Sequence, residues 1–140
     1  MTAREYLEQG RHLDARIDAK IQQLDRLNAM AKNATSTLTG MPSSHNCAMS
    51  KLEEIVAKIV DLQNAINADI DQLVDLKRDI RALVEAVQSS DQKTLLEKRY
   101  LCFQPWEQIA IDMQFSLHHI YKVHAAALEE CARILKLDTK

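Results

Sequence analysis

Apolar residues return at every third or fourth position through most of the first 90 residues, and almost nothing interrupts them. The 140-residue chain holds only two glycines, Gly10 and Gly40, and two prolines, Pro42 and Pro105. Such spacing puts one stripe of side chains on one face of an α-helix, and the remainder is rich in Ala, Leu, Ile, Lys, Glu, Gln and Asp, residues usual in helical proteins. Phosphate-cradling loops and tight hairpins need glycine at positive φ. So few glycines argue against P-loop, dinucleotide-binding and all-β architectures together, and an all-α fold is expected.

Thr2-Ala-Arg-Glu5 has the spacing of a capping box, which predicts a helix starting near residue 3. Its apolar stripe runs Tyr6, Leu13, Ile17, Ile21, Leu24, Leu27, Ala31, Ala34, and it should end before Gly40-Met-Pro-Ser-Ser44. Residues 39–49 are expected to form the main loop. Ser50-Lys-Leu-Glu53 is a second capping-box spacing, followed by Leu52, Val56, Ile59, Ile66, Ile70, Leu73, Ile80, Val84 and Val87 in heptad alternation, with Gln63 and Lys77 as polar residues on the seam and Leu62 and Leu76 beside it. A helix over residues 51–88 would be roughly 57 Å long at ~1.5 Å per residue, too long to bury its stripe on one small domain. Residues 1–90 are therefore expected to form a long antiparallel, coiled-coil-like helical hairpin that mediates oligomerisation or partner contact, with a homodimer completing a four-helix bundle. The alternative is a monomer in which the C-terminal domain covers the hairpin.

Residues 91–140 carry a different pattern. Helices are predicted over 93–102, 106–113 and 117–136, with Pro105 in a first helical turn and Ser116 as the N-cap of the last helix. A helix-turn-helix needs a small residue where its helices cross, a tight turn about four residues later, and buried β-branched residues on the second helix. Ala110 supplies the first, Ile109 and Met113 flank it, Phe115 plugs the turn, and Ile120 and Val123 are the core positions of the second helix. At the turn stands Gln114, where a left-handed backbone favours Gly or Asn; the strain is of order 1 kcal/mol. Trp106, Tyr100 and Phe103 are assigned to packing, and Tyr121 to the exposed face.

The run Leu96-Glu-Lys-Arg-Tyr100, then Trp106-Glu-Gln-Ile-Ala110, then Ser116-Leu-His-His-Ile-Tyr-Lys-Val-His-Ala-Ala-Ala-Leu128 resembles sigma-factor region 4. More closely, the chain looks like the phage and prophage proteins of Gram-positive bacteria that join a helical N-terminal segment to a region-4-like domain and are related to phage late-gene transcription activators. Lys58-Ile-Val-Asp-Leu62, Asn67-Ala-Asp-Ile70 and Leu73-Val-Asp-Leu-Lys77 extend that likeness into the hairpin. The resemblance implies a cytoplasmic DNA-binding transcription regulator whose last helix enters the major groove of double-stranded DNA. Its contacts would come from Leu117, His118, His119, Tyr121 and Lys122, with Ser116 or Tyr121 reaching phosphate, and RNA polymerase is a further candidate partner. The family is Arg-rich at these positions, whereas this chain offers Lys122 and two histidines.

Charge bears on that reading. Formal net charge is −2; residues 1–90 carry 11 Lys and Arg against 13 Asp and Glu, and residues 91–140 carry 7 against 7, with His118, His119 and His124 in addition. Phosphate neutralisation supplies most non-specific affinity for DNA, so a shallow salt dependence is expected. The neutral surface also keeps a second class open, a non-DNA-binding adapter that uses the helix-turn-helix as a structural module. A zinc site drawn from His45, Cys47, Cys102, Cys131 and the three C-terminal histidines lacks paired spacing beyond His45-Asn-Cys47; Cys102 and Cys131 are instead expected to be buried and Cys47 a loop thiol. Glu5 and Glu8 have the ExxE spacing of magnesium-dependent all-α hydrolases, but no ExxD follows. Asp71, Asp75 and Asp79, interleaved with Lys77, Arg78 and Arg81, are expected to be a solvated face. No catalysis, cofactor or metal is expected, and no stretch approaches the ~18 apolar residues of a membrane span.

Overall fold

The structure, a computed structural model, describes residues 1–38 and 45–136. It is all-α: a pair of long helices, α1 (Ala3–Leu38) and α2 (His45–Ala86), followed by the shorter α3 (Ser90–Leu96), a π-helical turn (Glu97–Leu101), α4 (Trp106–Met113) and α5 (Leu117–Leu135). The start of α1 follows from its capping box: the Glu5 N–H donates to Thr2 Oγ1 at 3.2 Å, and the Thr2 N–H donates to Glu5 Oε2 at 3.3 Å. Glu8 pairs with Arg11 at 3.3 Å, so neither member of the Glu5/Glu8 pair lacks an intrahelical partner. The loop expected at 39–49 does not hold over its second part. Residues 45–50 are already helical, which leaves Ser50 inside α2 rather than at its cap, and 39–44 lie outside the described residues.

Two compact units divide the chain. The first comprises residues 15–72, the middle of the hairpin. Here Ile17 is buried and Leu24 and Leu27 are half-buried on α1, Ile55 and Ile66 are buried on α2, and Lys20 of α1 forms an ion pair with Asp69 of α2. The stripe read from the sequence splits on α2. Ile66 is buried, whereas Val56 and Ile70 are exposed; of the apolar residues outside that stripe, Ile55 is buried and Val60 exposed. Heptad spacing tolerates both sets because they lie within one broad arc, and only the position of the partner helix separates them.

The second unit comprises residues 1–14 and 73–140. Its main core joins Ala3 and Leu7 of α1 with Ile80, Leu83 and Val84 of α2, Val87, Leu96, Tyr100, and Ala127, Cys131 and Ala132 of α5. A boundary of elements does fall near residue 90, where α2 gives way to α3, but this core draws on both sides of it. α3 begins where Ser89 accepts from the Gln92 N–H through its side chain. The helix expected over 93–102 is instead α3 plus a π turn, closed by the Cys102 N–H donating to the Glu97 carbonyl at 3.0 Å. The wider turn brings the neighbours Arg99 and Tyr100 inward together.

Candidate nucleic-acid interface

A second, smaller core holds α4 against α5. Leu95, Ile109, Ala110 and Ile120 are buried there, with Trp106, Met113, Phe115 and Val123 packed around them. These are the residues the helix-turn-helix spacing requires. The turn itself is built as that spacing implies: Gln114 adopts φ 59°, ψ 39°, and the Phe115 N–H donates to the Ala110 carbonyl at 3.0 Å, closing the helix end by a six-to-one bond. Because Gln114 accepts a left-handed backbone that glycine adopts without cost, Gln114→Gly is expected to raise stability by up to about 1 kcal/mol; urea denaturation at neutral pH measures it, and a loss would contradict this account of the turn.

Ser116 then caps α5, its Oγ accepting from the His119 N–H at 3.1 Å. Pro105 lies one position earlier than expected, as the N-cap of α4, where its carbonyl accepts from the Ile109 N–H at 3.1 Å. Ser116, Leu117, His118, His119, Tyr121 and Lys122 are all exposed. Their exposure follows from helical period, since Ile120, His124, Ala127 and Cys131 take the inward face of the same helix. Two of the exposed rings are braced: His119 stands edge-on to Phe115 at 4.5 Å, and Tyr121 edge-on to Trp106 at 5.7 Å. The next outward positions, Ala125 and Ala126, are short and exposed, and Glu129 follows them. A polyanion would therefore meet only the first two turns of α5 before reaching like charge.

His124 is the residue the sequence placed wrongly by grouping it with His118 and His119. It is buried, shares a hydrogen bond of 2.6 Å with the Tyr100 hydroxyl, and meets the Trp106 ring at 4.5 Å. Burial first, and then the positive charges of Arg4 and Arg99, push its pKa down to about 4, so at neutral pH it adds no charge to the surface. Burial likewise pushes Tyr100 up to about 12. Arg99 lies over the Trp106 ring at 4.3 Å and donates from Nη1 to the Gln104 carbonyl at 3.0 Å. This cluster of Arg99, Tyr100, Trp106 and His124 props α5 from beneath. Helical period offered one signal for it, since His124 falls four residues after Ile120 and three before Ala127. No short-range pattern pointed to Tyr100 as its partner.

The cysteines divide: Cys131 is buried as expected and its thiol is pushed up to about 11 by burial, whereas Cys102 is exposed, contrary to expectation, because it follows the π turn at the surface. Cys47 lies within α2 rather than in a loop, and the side chains of His45 and Cys47 lie outside those described. Among the described residues, no three His, Cys, Asp or Glu side chains come together as a metal site, and no helix is long and apolar enough to cross a membrane. Comparison of the chain with protein-family models, with curated proteins and with solved structures returns no match.

Proposed function

We propose that this protein is a DNA-binding transcription regulator of phage or prophage type, which reads double-stranded DNA with the first two turns of α5 and dimerises through its N-terminal helices. The observation that carries the reading is the open face of α5: Leu117, His118, His119, Tyr121 and Lys122 stand in solvent, at the end of a helix fixed by a serine cap and a left-handed turn. Histidine and lysine can address base edges or phosphate, and tyrosine and serine hydroxyls can reach phosphate oxygens. With Lys122 as the cation of this face and His124 neutral inside, few counterions are displaced. The reading therefore requires weak contact per subunit, reinforced by a second copy or by RNA polymerase binding alongside.

Fluorescence anisotropy with labelled duplex DNA tests this. The wild-type chain should bind with a shallow dependence on salt, a slope of about −2 to −4 in log affinity against log concentration for a few phosphate contacts per dimer. His118→Ala/His119→Ala/Lys122→Ala should lose at least about tenfold in affinity while melting as the wild type does, because all three side chains are exposed. Unchanged binding by the triple variant removes α5 as the reader. The adapter reading has its own support in exposed apolar side chains: Ile111 is 70% exposed on α4, and Leu117 and Tyr121 are 38% and 49% exposed on α5. An adapter would tolerate the triple substitution and lose partner capture on Ile111→Lys instead.

A further inference from the structure

The first turns of α1 carry a charged edge beside the core they share with α5. Arg4, Glu8 and Arg11 follow at spacings of four and three, which sets them on one face of the helix. That face adjoins Ala3 and Leu7, which lie in one buried cluster with Tyr100. Next to Tyr100 in sequence stands Arg99, only 9% exposed, its guanidinium over the Trp106 ring and its Nη1 donating to the Gln104 carbonyl. All of these residues belong to the same compact unit.

Arg99 is a buried cation without a countercharge of its own. Buried charges are ordinarily paired, yet among the described residues Arg99 forms no ion pair. Glu8, the carboxylate that acts on it, is already bonded to Arg11 at 3.3 Å. The Arg99 Nε is buried as well and finds no acceptor among the described residues. Three guanidinium groups therefore share one carboxylate, and His124, kept neutral by burial and by Arg4 and Arg99, adds nothing to either side. This excess of positive charge borders the open face of α5, because the indole of Trp106 that carries Arg99 also meets the Tyr121 ring edge-on at 5.7 Å.

We infer that Arg4, Arg11 and Arg99 form a site for one phosphate group of the DNA backbone, on the flank of the face that α5 offers to base edges. The inference rests on the DNA-binding reading and assigns to α1 a phosphate contact that α5, with Lys122 as its cation, lacks. Arg4 is exposed and the Arg11 side chain is 33% exposed, so both can reach an oxygen from outside. Arg99 lies beneath them as a fixed charge, held by a ring and a carbonyl. Guanidinium suits the task, since its planar fork donates to two phosphate oxygens at once and gives up its hydration more readily than an ammonium group. A carboxylate on a partner protein would answer the same charge, but continuity with Tyr121 through Trp106 favours the strand that α5 lies against.

Fluorescence anisotropy with duplex DNA, run on the wild type and on Arg4→Ala/Arg11→Ala, tests the site. The double variant should lose at least about tenfold in affinity, and its salt slope should become shallower by about 1 to 2, the value for one phosphate lost per subunit of a dimer. Its preferred sequence should stay the same, because phosphate contacts carry no base information. Arg4→Lys/Arg11→Lys, which keeps the charges, should retain most of the slope, and it decides the question if the alanine variant melts below the wild type. Inorganic phosphate without DNA, at constant ionic strength, should raise the wild-type melting temperature by at least about 2 °C and leave that of the alanine variant unmoved. An alanine variant that binds DNA with the wild-type affinity and slope overturns the site while α5 stands as the reader; a changed sequence preference overturns the assignment to phosphate. A wild type that binds no DNA sinks the reader. Protection by inorganic phosphate in that case would mean that the arginines hold a phosphate of another source, which overturns the assignment to the DNA backbone, and no protection would remove the site altogether.

Discussion

Acid should unfold this protein through one buried histidine. The His124 pKa is about 4 in the folded chain, against about 6.5 for an unhindered histidine. Its folded value is the lower one, so the stability it allows is fully present above pH 6.5 and falls away as pH drops toward 4. Over that range the unfolded chain takes up a proton that the folded chain refuses. The shift amounts to roughly 3 kcal/mol, a large part of the 5–15 kcal/mol typical of a folded domain. Carboxylates titrate near the lower end of the same range, so the measurement is a difference: urea denaturation of the wild type and of Tyr100→Phe/His124→Leu at pH 7.5 and pH 4.5. Replacing both partners removes the buried hydrogen bond without orphaning either group, so the two should be similar at pH 7.5 and the double variant more stable at pH 4.5. Equal losses on acidification would mean that His124 is not the titrating group.

Leu7→Ala should disable the C-terminal domain although residue 7 lies some 80 residues before it. Leu7 is fully buried, in one cluster with Ile80, Val84, Tyr100, Ala127 and Cys131. Truncating such a leucine costs about 2–5 kcal/mol. Because α1 and α5 share that core, hydrogen exchange should accelerate in the amides of α5 as well as in those of α1. A fragment starting at residue 91 should likewise show no cooperative melting, since it lacks Ala3, Leu7, Ile80, Leu83, Val84 and Val87. Independent melting of that fragment, or a Leu7→Ala effect below about 0.5 kcal/mol, within the range of an ordinary surface substitution, would contradict the shared core.

Leu7 also shows where the sequence stops being legible. Local chemistry was readable wherever one residue type answers one backbone demand: Thr2 and Glu5 at the start of α1, Ser116 at the start of α5, the left-handed Gln114, and Ala110 with Ile120 at the crossing. Each involves partners within about ten residues of one another, and the structure places all of them as expected. What period alone could not supply was which of several apolar positions meets which helix. Val56 and Ile55 are neighbours of the same type, yet one is exposed and the other buried. Tyr100 and His124 are 24 residues apart, and nothing in either neighbourhood marks the other. The π turn at 97–101 escaped for a related reason, since it answers the need to bury Arg99 and Tyr100 side by side rather than any propensity of its own residues. The candidate surface on α5 was legible because exposure there is the complement of a strong inward stripe.

The account stands on α5 as a reader of DNA, and selection from a random duplex pool tests that most directly, with the wild-type chain and the His118→Ala/His119→Ala/Lys122→Ala variant run in parallel, each with and without RNA polymerase. The wild type should enrich a defined sequence in at least one arm, and the triple variant should enrich none in either. No enrichment by the wild type in both arms, or the same enriched sequence from both proteins, would contradict it.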